Sequence, residues 1–385
     1  MRGMKVQTDV SLEHHLDELA AFEPNGFPVV SLYLNTQPDQ HGRDNYESFV
    51  RKEFAAVARS FAPDTPERAS FERDAERIKS YLQGELRPSA NGLAVFACAG
   101  AGYYFKALQL DAPVPRHRLH VGGLPHLYPL ARLIDQHPRY VALLADTNSA
   151  RLFVFGLGRR VALAEVNGFK VSRTRGGGWS QIRYQRHADN FYLLHAKEVV
   201  DVLGRVVRDE EADHVILAGD EVIIPLLREQ MPAHLREKVI DVLRLDIKTP
   251  EHVVLKATME SLREHNTQTD AERVRRLLDE YRAGGLAVVG ARDTLSAVYQ
   301  GQADELLLSA SSREIRLDEE DFDGPKAKDH GVPAQLLVEG REPHLVAADL
   351  LVAHARQTGA RVTFIEDAAL LAEVGGVGAL LRYRL

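Results

Sequence analysis

Three short apolar runs at hairpin spacing, 140–145, 150–155 and 161–166, stand ahead of a long stretch of helical periodicity, and this order constrains the chain most. Strands joined by short turns pair as an antiparallel meander, whereas Leu194, Val199, Leu203 and Val206 mark a long helix. A strand at 214–218, a helix at 222–230 and a strand at 239–245 follow. Strands first, then alternating helix and strand, predict an α/β layer arrangement.

The flanking regions alternate as well. Upstream lie a helix at 12–22, a turn at Pro24-Asn25-Gly26 and a strand at 29–34. Amphipathic helices follow at 46–61 and 71–86, separated by Pro63 and Pro66; Phe49, Phe54, Val57 and Phe61 recur at helical spacing. A strand starts at Asn91, and 103–110 alternates like its hairpin partner. Pro113, Pro115, Pro125, Pro129 and Pro138 then disfavour regular structure and predict a boundary. Downstream, a highly charged helix at 250–281 ends at Gly284-Gly285. Helical patterns at 295–300 and 344–357 alternate with strands at 305–309 and 362–365. The acid run Asp318-Glu319-Glu320-Asp321 opens a polar insertion to about Arg341, read as a solvated loop. A chain of 385 residues exceeds one ordinary core. The reading is a mixed α/β (α+β) chain of three domains, 1–135, 136–268 and 269–385.

Between the third run and the long helix lies Arg173-Thr174-Arg175-Gly176-Gly177-Gly178-Trp179-Ser180-Gln181. Three consecutive glycines free the backbone from ordinary φ/ψ limits. Lys170, Arg173, Arg175, Arg183 and Arg186 surround them, with no acid from Lys170 to His187. The whole chain carries a net charge of −7, which excludes a general nucleic-acid coat, so RNA contact must rest on such local patches. A mobile surface loop with solvated arginines is the plain alternative. The one cysteine, Cys98, excludes a disulfide framework or Cys-rich zinc site and is read as a buried small hydrophobe. No run reaches the ~18 apolar residues of a membrane span, and the first residues lack a signal-peptide core. A cytoplasmic protein without membrane contact is expected.

Three stretches, one per region, carry a resemblance to the archaeal and eukaryotic class-1 release factor superfamily, which includes Pelota. Asn91-Gly92-Leu93-Ala94-Val95-Phe96 resembles the strand of the N-terminal domain, and the glycine loop before a long helix resembles the middle domain. Gly376-Val377-Gly378-Ala379-Leu380-Leu381-Arg382-Tyr383 resembles the closing strand of the C-terminal domain. The resemblance covers essentially the whole chain. It implies a ribonuclease H-like middle domain and a last domain like a kink-turn-RNA-binding ribosomal protein. Release factors carry Gly-Gly-Gln without a break, whereas here Trp179 and Ser180 intervene. The spaced form is similar to the Vms-type peptidyl-tRNA hydrolases of ribosome quality control and their bacterial relatives. The first region also lacks the Asn-Ile-Lys-Ser stretch that release factors use to read stop codons, so rescue fits better than codon-specific termination.

The resemblance implies ester hydrolysis of peptidyl-tRNA. Such a reaction needs a positioned water and a stabilised oxyanion, with no obligatory ionisable base. Gln181, donor and acceptor at once, is the candidate for that role, and Gly177 and Gly178 supply backbone geometry. Trp179 would stack on a base or ribose, while Lys170, Arg173, Arg175, Arg183 and Arg186 would hold phosphates. Residues 183–187 either pack on RNA or anchor the loop. The implied partners are the ribosome, bound at its A site, and peptidyl-tRNA, with a translational GTPase as an open further partner. A non-catalytic hibernation factor in the A site is the alternative. No metal or cofactor is assigned: His14-His15 has no third ligand in view, and Asp146 and Asp220 read as turn residues. Gly156-Leu157-Gly158 reads as a hairpin turn, and the turn at 375–378 serves either a close partner or tight folding.

Overall fold

The computed structural model describes residues 12–38, 46–157, 159–167, 179–315 and 343–384. The chain divides into two compact units, Met1–Gln136 with Thr269–Leu385, and His137–Gln268.

The larger unit opens with α1 (Leu12–Ala20), β1 (Val29–Asn35), α2 (Tyr46–Ser60), α3 (Pro66–Gly84), β2 (Gly92–Cys98), β3 (Tyr104–Leu110), β4 (Arg118–Gly122) and α4 (Tyr128–Gln136). Its strands form an antiparallel sheet ordered β3-β2-β1-β4. Val30, Leu32 and Leu34 alternate along β1 onto the face covered by Phe54 of α2 and by Phe71 and Ile78 of α3. Helix α3 starts at Pro66, ahead of the apolar pattern, because Thr65 accepts the Arg68 amide on its hydroxyl and proline suits a first turn. Cys98 is fully buried at the end of β2, and burial pushes its thiol pKa up.

Strand β4 and helix α4 correct the expectation of a proline-rich stretch without regular structure. The five residues of β4 fit between Pro115 and Pro125 and pair with β1 at the sheet edge. Pro129 occupies the first turn of α4, where a missing N–H costs no intrahelical bond.

The smaller unit contains β5 (Tyr140–Ala145), β6 (Ser149–Gly156), β7 (Arg159–Asn167), α5 (Trp179–Asp209), β8 (His214–Gly219), α6 (Ile223–Gln230), α7 (Ala233–Arg236), β9 (Val239–Leu243) and the first part of α8 (Glu251–Arg282). The sheet runs β7-β6-β5-β8-β9, with β5 to β7 antiparallel and β8 and β9 parallel on the far side of β5. This arrangement is ribonuclease H-like. Alternation along β5 feeds two cores. Val141, Leu143 and Ala145 join Val199, Leu203 and Leu227 of α5 and α6. Tyr140, Ala142 and Leu144 join Phe153, Phe155 and Val254 of α8 on the other face. Helix α5 buries Ala196, Val199, Val200, Leu203 and Val207, whereas Leu194 is 68% exposed and lies off that stripe. Arg151 lies over the Phe153 ring and donates to the Ile247 and Thr249 carbonyls at 2.9 and 3.1 Å, tying the approach to α8 onto the sheet.

The rest of the larger unit comprises the last part of α8, then β10 (Ala287–Val289), α9 (Ala291–Tyr299), β11 (Ala303–Ser309), α10 (Pro343–Gln357), β12 (Arg361–Ile365) and β13 (Val377–Leu381). Its sheet is ordered β10-β13-β11-β12, with only β11 and β12 parallel. Leu277, Leu307, Ile365 and Leu380 lie in its core. Gly375 and Gly376 have φ of 73° and 76°, and a Cβ on Gly376 would lie 2.4 Å from the Glu314 carbonyl oxygen. The close approach at this turn is therefore to the chain itself. The acidic insertion at 318–341 lies outside the described residues.

A polar seam joins the two sheets of this unit. His126, fully buried, meets Asp349 of α10 through Nδ1 at 2.7 Å, and the other Asp349 oxygen accepts the Tyr128 amide at 3.0 Å. Arg132 donates to Glu366 at 2.9 Å and to the Ala310 carbonyl at 2.8 Å. Asp135 accepts the Phe364 amide of β12 at 3.0 Å.

Candidate functional site: the β7–α5 connection

Strand β7 is the outer strand of its sheet and ends at Asn167; α5 begins at Trp179. The glycine loop is the link between them. Lys170, Arg173, Arg175, Gly177 and Gly178 lie outside the described residues. Trp179 and Gln181 lie in the first turn of α5, and Arg183 and Arg186 lie within its next turn. The sequence reading put residues 183–187 at the start of this helix; its start at Trp179 puts the glutamine on the helix instead of in the loop.

A helix start leaves backbone N–H groups without intrahelical partners and carries a partial positive charge. No acid occupies the first turn of α5, so nothing on the helix itself neutralises that charge. Chemically, the arrangement supplies backbone donors and an amide residue directly after a glycine tract, within an acid-free stretch containing five Lys and Arg residues. The long helix is held from below: Ala196, Val199 and Leu203 pack on β5 and β6.

Asp146 and Asp220 are closer together than their sequence positions suggest. Ala145 and Gly219 pair across the parallel strands β5 and β8, so the two acids follow adjacent strand ends. Each closes a turn. Asp146 accepts the Asn148 and Ser149 amides at 2.8 and 2.7 Å, and Asp220 accepts those of Val222 and Ile223 at 3.0 and 2.9 Å. Strands β6 and β7 join at Leu157, whose φ of 53° suits a two-residue hairpin turn. His15 lies by Glu18 and Lys106, and burial holds its pKa below the usual value.

The seam around His126 escaped sequence reasoning. His126 and Asp349 are separated by 223 residues, and neither lies in a motif.

A ribonuclease H-like unit with a glycine tract leading into its long helix, together with two further α/β sheets, is the architecture of a release-factor-like protein. The chain is similar to the release-factor and Pelota superfamily. Residues 125–263, which include the loop and all of α5, match the bacterial archaeo-eukaryotic release factor family 10. Peptide chain release factor subunit 1 of Thermoplasma acidophilum is 23% identical over 405 residues, covering 96% of this chain and 94% of that protein. Among solved structures, the Saccharomyces cerevisiae translation termination-like factor Dom34 has a TM-score of 0.41 at 10% identity, over 76% of this chain and 79% of that one. An archaeal translation termination factor, aRF1, has a TM-score of 0.26 at 16% identity, over 96% and 98%. No described helix is long and apolar enough to cross a membrane.

Proposed function

We propose that the protein binds ribosomes and hydrolyses peptidyl-tRNA in stalled complexes without reading a stop codon. One observation carries the reading: Gln181 is in the first turn of α5, which holds no acid and directly follows the glycine tract. In this reading Gln181 orients the attacking water and bonds the developing oxyanion, while Gly177 and Gly178 let the backbone pass where a Cβ would clash. Trp179 stacks on RNA, and Lys170, Arg173, Arg175, Arg183 and Arg186 hold phosphates near the A site. The match of this segment to bacterial release factors supports the assignment. The three-domain division at 135 and 268 belongs to the same proposal. So does a translational GTPase as delivery partner, and Dom34, a relative in fold, is described as interacting with Hbs1.

The test is peptide release from purified ribosomes that carry peptidyl-tRNA and an empty A site. Wild-type protein releases the peptide with or without a stop codon. Gln181→Ala slows release by on the order of 10²-fold while still pelleting with ribosomes. Wild-type protein that pellets and releases nothing would replace this reading with a non-catalytic, A-site-occupying hibernation factor.

A further inference from the structure

At one end of the sheet β10-β13-β11-β12, three helices terminate together. Helices α8, α9 and α10 end at Arg282, Tyr299 and Gln357, and Gly284, Gly301 and Gly359 follow them with φ of 68°, 69° and 68°. A left-handed glycine at each end leaves carbonyl oxygens pointing outward with partial negative charge. Arginines from the tail of β13 meet them. Arg384 donates to the Gly284 carbonyl at 2.7 Å and Arg382 to the Gly359 carbonyl at 2.6 Å. Arg382 is held by the Thr358 and Gly359 carbonyls and by Asp304, whereas Arg384 is held through one terminal nitrogen by the Gly284 and Gly285 carbonyls and keeps donors to spare.

Tyr281 and Tyr299 lie in the last turns of α8 and α9, and Tyr383 stands between Arg382 and Arg384. Tyr281, Leu286, Tyr299 and Tyr383 are 42–48% exposed, and they are four of the ten exposed large apolar or aromatic side chains among the described residues. The Leu381 amide donates to the Leu286 carbonyl at 2.9 Å and the Arg382 amide to the Gln302 carbonyl at 2.8 Å, so the tail of β13 runs between β10 and β11. Arg282 and Arg361 are exposed at the same end. Of the nearby acids, Asp304 pairs with Arg382 at 3.4 Å and Glu280 accepts the Leu286 amide at 3.2 Å, while Asp279 is exposed. Concentrating exposed aromatic surface at one site marks an interaction surface.

We infer that this end of the sheet is a second RNA contact, which takes unstacked bases on Tyr281 and Tyr383 and phosphates on Arg282 and Arg384. Charge decides for a polyanion. Exposed rings decide for RNA over an acidic peptide, because bases stack on tyrosine faces whereas peptide carboxylates gain nothing from them. Bases stack on tyrosine whatever their identity, so the contact is sequence-tolerant. It goes beyond the glycine-loop reading and does not depend on Gln181.

The test uses the full chain, a fluorescent uridine-rich single-stranded RNA as probe, and Tyr281→Ala/Tyr299→Ala/Tyr383→Ala as variant. These side chains are exposed, so the thermal midpoint should hold, which separates lost contact from misfolding. The variant should bind the probe about tenfold more weakly or worse. Ultraviolet crosslinks in wild-type protein should map to peptides containing Tyr281 or Tyr383, and should persist in Arg173→Glu/Arg175→Glu. Crosslinks confined to the loop peptides, with unchanged affinity in the triple variant, would overturn the inference. So would a polyglutamate peptide that binds this end while the RNA does not, or self-association abolished by the triple variant; these outcomes assign the surface to an acidic protein or to a second copy.

Discussion

His126 and Asp349 make a buried contact of 2.7 Å between residues 223 positions apart, and Arg118 determines its chemistry. The Arg118 guanidinium stands 3.3 Å from Nε2 of the same ring and can only donate. Nε2 therefore accepts, and the ring proton sits on Nδ1, facing the carboxylate. Asp349 also takes the Tyr128 amide at 3.0 Å. Asp349→Ala leaves two buried donors without a partner and should cost about 3 kcal/mol or more. Asp349→Asn keeps one acceptor and should cost less. Thermal unfolding of the two variants checks the order.

Asp135 gives the protein a pH dependence of definite sign. Its carboxyl pKa is raised from 3.8 to about 7, chiefly by burial and also by Asp270 and Glu366, against the Phe364 amide and Arg273. Burial also raises Asp270. The folded state thus holds more protons than the unfolded chain between about pH 4 and 7, so stability falls as pH rises through that window. Asp135 keeps some contact with solvent, which limits the effect to about 1–2 kcal/mol. Asp135→Asn retains an acceptor for the Phe364 amide and should raise the thermal midpoint at pH 8 but not at pH 4. Equal shifts at both values would show that the carboxyl does not titrate there.

The glycines at 284 and 376 separate backbone strain from steric clash. Both have positive φ, but a Cβ on Gly284 meets nothing within 4 Å, whereas one on Gly376 meets the Glu314 carbonyl oxygen at 2.4 Å. Gly284→Ala should cost about 1 kcal/mol. Gly376→Ala should cost at least twice that, because a backbone oxygen has to move. Comparing the two thermal midpoints tests the difference.

For the loop, salt and protease provide independent checks. Replacing Arg173, Arg175, Arg183 and Arg186 with Glu should abolish ribosome co-sedimentation or weaken it greatly, and wild-type pelleting should fall steeply with salt. Trypsin should cut after Lys170, Arg173 or Arg175 before Arg183 or Arg186, because the last two lie within α5. First cleavage at Arg183 would mean that the helix start is open in solution.

Periodicity made the middle sheet readable in advance. Strands β5, β6 and β7 are continuous apolar or alternating runs separated by short turns, so local sequence alone specifies them. The same reasoning missed β4, because prolines at 115 and 125 look like breakers when they only flank a strand. It missed β10, whose three residues hold register only by pairing with β13. It placed Gln181 in a loop because the residues that start α5 have no apolar stripe to announce them. The seam at His126 was out of reach, since its partners come from opposite ends of the chain.

The division of the chain also sets an order of assembly during its own synthesis. Residues 137–268 form one unit, and the segments before and after them form the other. A nascent chain elongating at ~5–20 residues per second makes Asp349 roughly 10–45 s after His126, which is 223 residues earlier. In that interval the inserted unit can complete both of its cores, while β1, β2 and β4 emerge with the future partners of His126 and Tyr128 still unmade. The half that appears first is the one that closes last. A holding chaperone acting on this protein should accordingly engage residues 12–136, and should let go only when α10 has left the exit tunnel.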